Sequence, residues 1–175
     1  MEKFTLINKN AKMAFYLFLS DKIIELLNDS DKYTVAKKYL NLCWQWLNEK
    51  NVKADELYAC LEPLDEEEET GIANFMCIET NTQYMKIWSC LCDAFGHIAL
   101  EAYKFEGASF VPQPLECPES EIIEDFLENF KQLYENSDIA DRLLDYLVEY
   151  YPVSNDNNVD IISLKNFLKY LYSME

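Results

Sequence analysis

Three residues that could bind a metal ion follow each other at four-residue steps: Asp93, His97 and Glu101. On a helix this spacing places a carboxylate, an imidazole and a second carboxylate along one face, and these ligand types hold metal ions in helical bundles. A complete site of this kind would indicate a metal-dependent enzyme. His97 is the only histidine of the chain, so no second helix can supply the Glu-x-x-His half of a ferritin-like site.

We call these three residues the stripe, and its direction follows from the helical rotation of 100° per residue. The rotation places the stripe opposite Trp88, Phe95 and Ala102, next to Lys86 and Lys104. We therefore expect the stripe to face solvent and to hold no metal. The chain also lacks a Gly-rich phosphate loop and a serine in a nucleophile elbow. The sequence thus predicts a protein without catalytic residues or cofactors.

The elements that carry the stripe are helical, because apolar residues recur at three- and four-residue steps between the few glycines and prolines. Helices are predicted at about 9–28, 30–50, 54–61, 81–106, from 118 or 120 onward, at 137–151 and at 161–174. Residues 74–80 could form a weak strand or a helix. We predict an all-α fold, one domain over residues 1–175, with six to eight helices, residues 81–106 as the long central helix, and the C-terminal helices of 137–175 packed on the rest.

Charge is distributed unevenly along the 175 residues, whose formal net charge is −17. Residues 1–60 hold eight acidic residues and nine lysines, whereas residues 61–175 hold 24 acidic residues against six basic ones. A field of this sign repels phosphate backbones and anionic lipids and attracts basic surfaces. The sequence therefore predicts a basic protein as the partner, and neither nucleic acid nor a membrane.

Two acidic clusters are the candidate binding sites for such a partner. One is the run Asp65–Glu69, with Glu66, Glu67, Glu68 and Glu69 as candidates, and the other is a helix face formed by Glu121, Glu124, Asp125 and Glu128. Both should be exposed, because burying unpaired carboxylates is costly. We favour the helix face, which holds its charges in a fixed geometry. The alternative is that both clusters are solvated and serve solubility alone.

A tryptophan pair offers one further candidate contact. In "LCWQWLNEKN" the helical wheel places Trp46 at the centre of the apolar face and Trp44 on its flank. Trp44 is then either an exposed anchor for a partner, since aromatic residues are enriched at interface hot spots, or a side chain packed under a neighbouring helix or loop.

The cellular compartment is suggested by the cysteines and the N-terminus. "MEKFTLINKN" lacks the basic and apolar pattern of a signal peptide, and no apolar run approaches membrane-spanning length. We therefore expect a cytoplasmic protein whose six cysteines stay reduced.

Three segments carry a family resemblance: "YLNLCWQWLNEKNVKADELYACLE", "KIWSCLCDAFGHIALEAYKFEG" and "VPQPLE". Together they resemble the sixth immunity-protein family of bacterial polymorphic toxin systems, over about residues 10–135. The most specific pieces are the Cys-Trp-x-Trp-Leu helix with the turn after it and the connector Pro112–Glu116. The resemblance implies a helical cytoplasmic protein that is encoded beside a toxin gene and protects the producing cell by binding the toxin.

The acidic field and the resemblance lead to one functional prediction. We expect an immunity protein that neutralises a cognate toxin, such as a basic nuclease, by steric and electrostatic occlusion. Two alternatives remain open at this level. One is an acidic helical adaptor for a basic cellular protein, and the other is a metal-dependent enzyme centred on the stripe.

Overall fold

The computed structural model describes residues 2–27, 32–62, 71–135, 138–154 and 158–172. These residues form nine α-helices, two short 3-10 turns (Glu25–Leu27 and Gln113–Leu115) and no strand. The helices are α1 Glu2–Thr5, α2 Lys9–Ile24, α3 Tyr33–Glu49, α4 Ala54–Tyr58, α5 Ile72–Ile78, α6 Thr82–Glu106, α7 Glu119–Leu133, α8 Ile139–Tyr150 and α9 Ile161–Tyr172. The predicted all-α class is confirmed. The described helices outnumber the predicted six to eight because α1 was not expected and the ambiguous segment 74–80 is mostly helical.

Helix α2 is apolar on almost every side and is therefore a buried helix. It begins at Asn8, whose side-chain oxygen accepts a hydrogen bond from the backbone N–H of Ala11 at 2.9 Å. Helices α3, α6 and α8 pack around it. One cluster of buried apolar side chains runs from Phe4 to Leu171.

The central helix of the fold is α6, as predicted, and it has 25 residues. It begins at Asn81, whose side-chain oxygen accepts hydrogen bonds from the backbone N–H groups of Gln83 and Tyr84. It ends at Gly107, which has a φ of 65° and thus the left-handed conformation that glycine adopts readily at helix ends. Helices α2, α3, α4, α5 and α7 all pack against α6. Little of its surface is left for solvent.

The residues between α1 and α2 pair with those that follow α8. The backbone N–H of Asn8 donates to the carbonyl of Tyr151 at 2.9 Å, and the N–H of Val153 donates to the carbonyl of Leu6 at 2.8 Å. Helix α8 also packs against α1 and α2. The segment between α1 and α2 is therefore fastened to the residues that follow α8.

Helix α9 adds the last layer. The ring of Phe167 stacks on Tyr146 of α8 with 4.0 Å between centroids, and Leu164, Leu168 and Leu171 are buried. None of the described helices combines the length and the apolar character needed to cross a membrane.

Candidate functional site

The stripe does not face solvent, so the predicted direction of Asp93, His97 and Glu101 is wrong. His97 is 3% exposed, Glu101 is 4% exposed and Asp93 is partly buried. The helical wheel assumed one apolar face on α6, whereas five helices surround it. Helix α2 covers the stripe, with the ring of Tyr16 lying 5.0 Å from the ring of His97.

Glu101 is held by two lysines. Its carboxylate oxygens lie 2.5 Å from Nζ of Lys9 and 2.8 Å from Nζ of Lys104. Burial by itself would raise the pKa of Glu101, but the hydrogen bonds and charges of the two lysines outweigh it, so the pKa is lowered. Glu101 is thus an ionised side chain that fastens α2 to α6.

His97 is a neutral imidazole at physiological pH, because burial lowers its pKa to about 4. Neither of its ring nitrogens has a hydrogen-bond partner among the described residues. A neutral imidazole carries one N–H donor and one acceptor nitrogen. The donor and the acceptor of His97 are therefore both buried without a partner among the described residues.

Asp93 lies one helical turn before His97 and shares its surroundings. Burial, together with the charge of Asp125, raises the pKa of Asp93 to about 7. Its Oδ2 atom is buried and has no hydrogen-bond partner within the described segments. The carboxyl group is therefore poised between its protonated and ionised forms near neutral pH.

The described part of the chain contains no group of three or more His, Cys, Asp or Glu side chains that could hold a metal ion. The stripe itself illustrates the reason: Glu101 is engaged by Lys9 and Lys104, and His97 has no second histidine to join it.

A cavity of about 220 Å³ opens beside Asp93 and His97. It lies between the end of α4, α5, α6, the connector after α6 and the start of α7. The apolar side chains in its wall include Leu61, Ala73, Met76, Leu115 and Ile122. The polar side chains are Glu62, Asp93 and His97, with the sulfur atoms of Cys92 and Cys117 and the hydroxyl of Tyr58. It is a mostly apolar recess with a carboxyl group and an imidazole in its wall.

Gly96 lies in the middle of α6 on the cavity wall. Because glycine has no Cβ atom, the space that a side chain would fill there belongs to the cavity. A Cβ atom built there would lie 3.6 Å from Cδ2 of Leu115 and 3.8 Å from Cδ1 of Leu61. The cavity was not predicted from the sequence. A glycine inside an otherwise regular helical pattern marks close approach by another segment, and this was the available signal.

The acidic face of α7 is exposed as expected. All four of its members lie on the solvent side, and none forms an ion pair within the described residues: Glu121, Glu124, Asp125 and Glu128. The other acidic cluster, the run Asp65–Glu69, lies outside the described residues.

Trp44 is 7% exposed, so the alternative of an exposed anchor is not met, and the packed alternative holds. Its ring meets Phe18 edge to face at 4.6 Å, and its indole N–H donates to Asp21. Nζ of Lys165 from α9 lies 5.4 Å from the ring centroid. Helix α2, together with Lys165 of α9, therefore covers a residue that the helical wheel placed on a flank.

Comparisons with known proteins complete the description of the site. A family model described as immunity protein Imm6 matches residues 11–133, which is more than half of the chain and includes the cavity and the α7 face. No curated protein and no solved structure matches the chain.

Proposed function

The chain belongs to the Imm6 family of immunity proteins, and on that basis we propose that it binds and neutralises a cognate bacterial toxin in the cytoplasm of the cell that makes both. The family membership is the observation that carries the proposal. The surface features described above suggest how the binding takes place.

The acidic face of α7 is the proposed contact for the toxin. Glu121, Glu124, Asp125 and Glu128 are exposed and form no ion pairs among the described residues, so no internal partner has to be displaced when a basic surface approaches. Helix α7 packs along α6 through Phe126 and Phe130, which are 0% and 1% exposed. Its charges are therefore presented from a fixed scaffold, which lowers the entropy cost of binding.

A basic toxin, such as a nuclease, fits this surface. Nucleases present positive charge where they bind phosphate, and an acidic inhibitor steers itself towards that surface through long-range attraction. A chain of net charge −17 that covers the surface would exclude the nucleic-acid substrate by both volume and charge. We propose steric occlusion with electrostatic steering as the mechanism.

The test uses the protein encoded by the adjacent toxin gene. Both proteins are purified, their affinity is measured, and the activity of the toxin is followed as this chain is added. We expect a tight complex, loss of toxin activity at a stoichiometric amount of the chain, and rescue of growth in cells that express the toxin. Folded proteins that neither associate nor rescue growth would refute the proposal.

A further inference from the structure

We propose that the cavity beside His97 receives one arginine or lysine side chain of the toxin and so forms the anchor point of the interface. The inference rests on the proposed function, which supplies the toxin, and adds the place and the chemistry of the principal contact. Its starting point is a recess lined by Asp93 and His97, two residues whose Oδ2 atom and ring nitrogens are buried and have no partner among the described residues.

The size of the cavity favours a single side chain as the occupant. Its volume is about 220 Å³, whereas pockets that enclose drug-sized ligands span roughly 300–1,000 Å³. Interfaces commonly concentrate their binding energy in one or two long side chains that enter such desolvated recesses, and arginine is among the residues enriched there.

The chemistry of the wall favours a cationic side chain. Its apolar part, which includes Leu61, Met76 and Leu115, suits the methylene stem of arginine or lysine. A rotation that turns these buried atoms towards the recess would let Asp93 and neutral His97 accept hydrogen bonds from the N–H groups of the cationic head. A planar guanidinium group can donate to two such acceptors at once.

The electrostatics of the neighbourhood also favour a cation. The charges of Asp125 and Glu119 act on the Asp93 and His97 side chains, and Glu62 stands in the cavity wall. The charge of Lys12 on α2 also acts on His97. Nζ of Lys12 already pairs with a carboxylate oxygen of Glu119 at 2.6 Å. Asp125 and Glu62 form no ion pair among the described residues, so an incoming cation meets negative charge at these two groups.

Binding of a cation should be linked to the ionisation of Asp93. In the free protein the pKa of Asp93 is about 7. A bound cation stabilises the carboxylate and lowers this pKa. Below pH 7, binding of the cation therefore releases a proton from Asp93. Affinity should therefore rise with pH up to about 7, by up to about tenfold per pH unit. The ionisable groups around Asp93 and His97 are Tyr16 and Lys12 of α2, Cys90, Cys92, Glu101 and Lys104 of α6, Glu119 and Asp125 of α7, and Glu62 and Cys117 in the cavity wall.

Two variants test the inference without endangering the fold. Gly96→Ala narrows the cavity with a methyl group whose nearest neighbours are side-chain atoms at ordinary contact distances, and alanine favours the helix over glycine. Asp93→Asn keeps the shape and removes the charge. Asp141→Asn, an exposed substitution on α8 outside the cavity, is the matched control for net charge.

We expect Gly96→Ala to raise the melting temperature and weaken toxin binding at least tenfold. Asp93→Asn should weaken binding by at least about 30-fold, as expected for the loss of one partner of a buried charge pair, and should abolish the pH dependence of affinity. Asp141→Asn should leave the affinity within about twofold. Because His97 is the only histidine, its imidazole ¹⁵N resonances report directly on the cavity, and they should shift when the toxin binds.

Other results would overturn the inference in distinguishable ways. A toxin that binds the wild type but is indifferent to both variants, with unshifted imidazole resonances, would show that the interface lies elsewhere while leaving the proposed function intact. Loss of binding with Gly96→Ala but not with Asp93→Asn would assign an apolar side chain to the cavity. A dimer of the free chain that dissociates in Gly96→Ala would assign the cavity to a second copy. Failure of the wild type to bind the toxin would refute both proposals.

Discussion

The indole N–H of Trp44 on α3 donates a hydrogen bond to a carboxylate oxygen of Asp21 on α2, with 2.8 Å between Nε1 and Oδ2. The same carboxylate group pairs with Lys37 at 2.9 Å through its other oxygen. One acidic side chain thus joins two positions of α3 to α2.

Trp44→Phe and Trp46→Phe should differ in their effect on stability. Trp44→Phe removes a hydrogen bond to a charged acceptor, which costs about 1.5–3 kcal/mol. The indole N–H of Trp46 has no acceptor within the described residues, so its replacement by phenylalanine, which keeps an aromatic ring under Nζ of Lys50, breaks no hydrogen bond and should cost less. Urea unfolding of the two variants measures the difference. Equal costs would mean that the bond to Asp21 contributes nothing.

The pH dependence of stability should reveal opposite contributions from Asp93 and His97. Asp93, with a pKa raised to about 7, binds its proton more tightly when folded, so its contribution falls as pH rises from about 4 to 7. His97, with a pKa lowered to about 4, binds its proton less tightly when folded, so its contribution rises between about 4 and 6.5. Each contribution is on the order of 3 kcal/mol.

Asp93→Asn should therefore become more stable relative to the wild type as pH is raised from 4.5 to 7, and His97→Gln should become less stable over the same interval. The measurement is the free energy of unfolding in urea at several pH values, with the exposed Asp141→Asn as control. A constant difference between Asp93→Asn and the wild type across this range would show that Asp93 ionises as an ordinary carboxyl group.

Charge reversal should locate the contact for the toxin. Glu121, Glu124 and Glu128 changed together to Lys should slow association with the toxin by at least tenfold at low salt and by much less at high salt, because the steering force is screened. The matched control reverses Glu2 of α1 with Asp141 and Glu149 of α8, three exposed acids that form no ion pair among the described residues. It makes the same change in net charge at another place.

The Glu66–Glu69 run requires its own variant, with all four residues changed to Lys. We expect a smaller effect on association than from the α7 variant. Association rates that do not change in any of the three variants, with unaltered circular dichroism, would mean that the acidic field is only a solvated surface.

Cysteine reactivity should follow exposure. Cys77 and Cys117 are exposed, whereas burial raises the pKa of Cys43 and Cys90 well above its ordinary value. Because the thiolate is the reactive form, an alkylating reagent at pH 7.5 should modify Cys77 and Cys117 first in the folded protein. Peptide mass spectrometry of a time course identifies the order. Early modification of Cys43 would indicate that the α3 side of the core opens readily.

Helix positions were predictable because periodicity and punctuation are local properties. The prediction of 81–106 for the central helix differs from α6 by a single residue at its start, since Asn81 and Gly107 mark its ends. The direction of the stripe was not predictable in the same way. A helical wheel sorts residues into two faces, but α6 is covered on nearly all sides. Its buried carboxylate, Glu101, is paired with Lys9, which is 92 residues away in sequence.

The burial of Trp44 also depends on residues that are far from it in sequence. Phe18 and Asp21 of α2 lie more than twenty residues before it in sequence, and Lys165 of α9 lies more than a hundred residues after it. The cavity likewise needs five segments to meet, namely the end of α4, α5, α6, the connector after α6 and the start of α7. The acidic α7 face was accessible to prediction because burial of its charges would be costly and the apolar face of the same helix is well defined.

The backbone hydrogen bonds between Asn8 and Tyr151 and between Val153 and Leu6 can form only after the residues that follow α8 have been synthesised. During synthesis these partners emerge roughly 140 residues apart, which corresponds to roughly 7–30 s at about 5–20 residues per second. Until then the N–H of Asn8 and the carbonyl of Leu6 lack these two hydrogen-bond partners. If the chain protects its cell as proposed, that protection is supplied by molecules that were finished earlier, and not by those still on the ribosome.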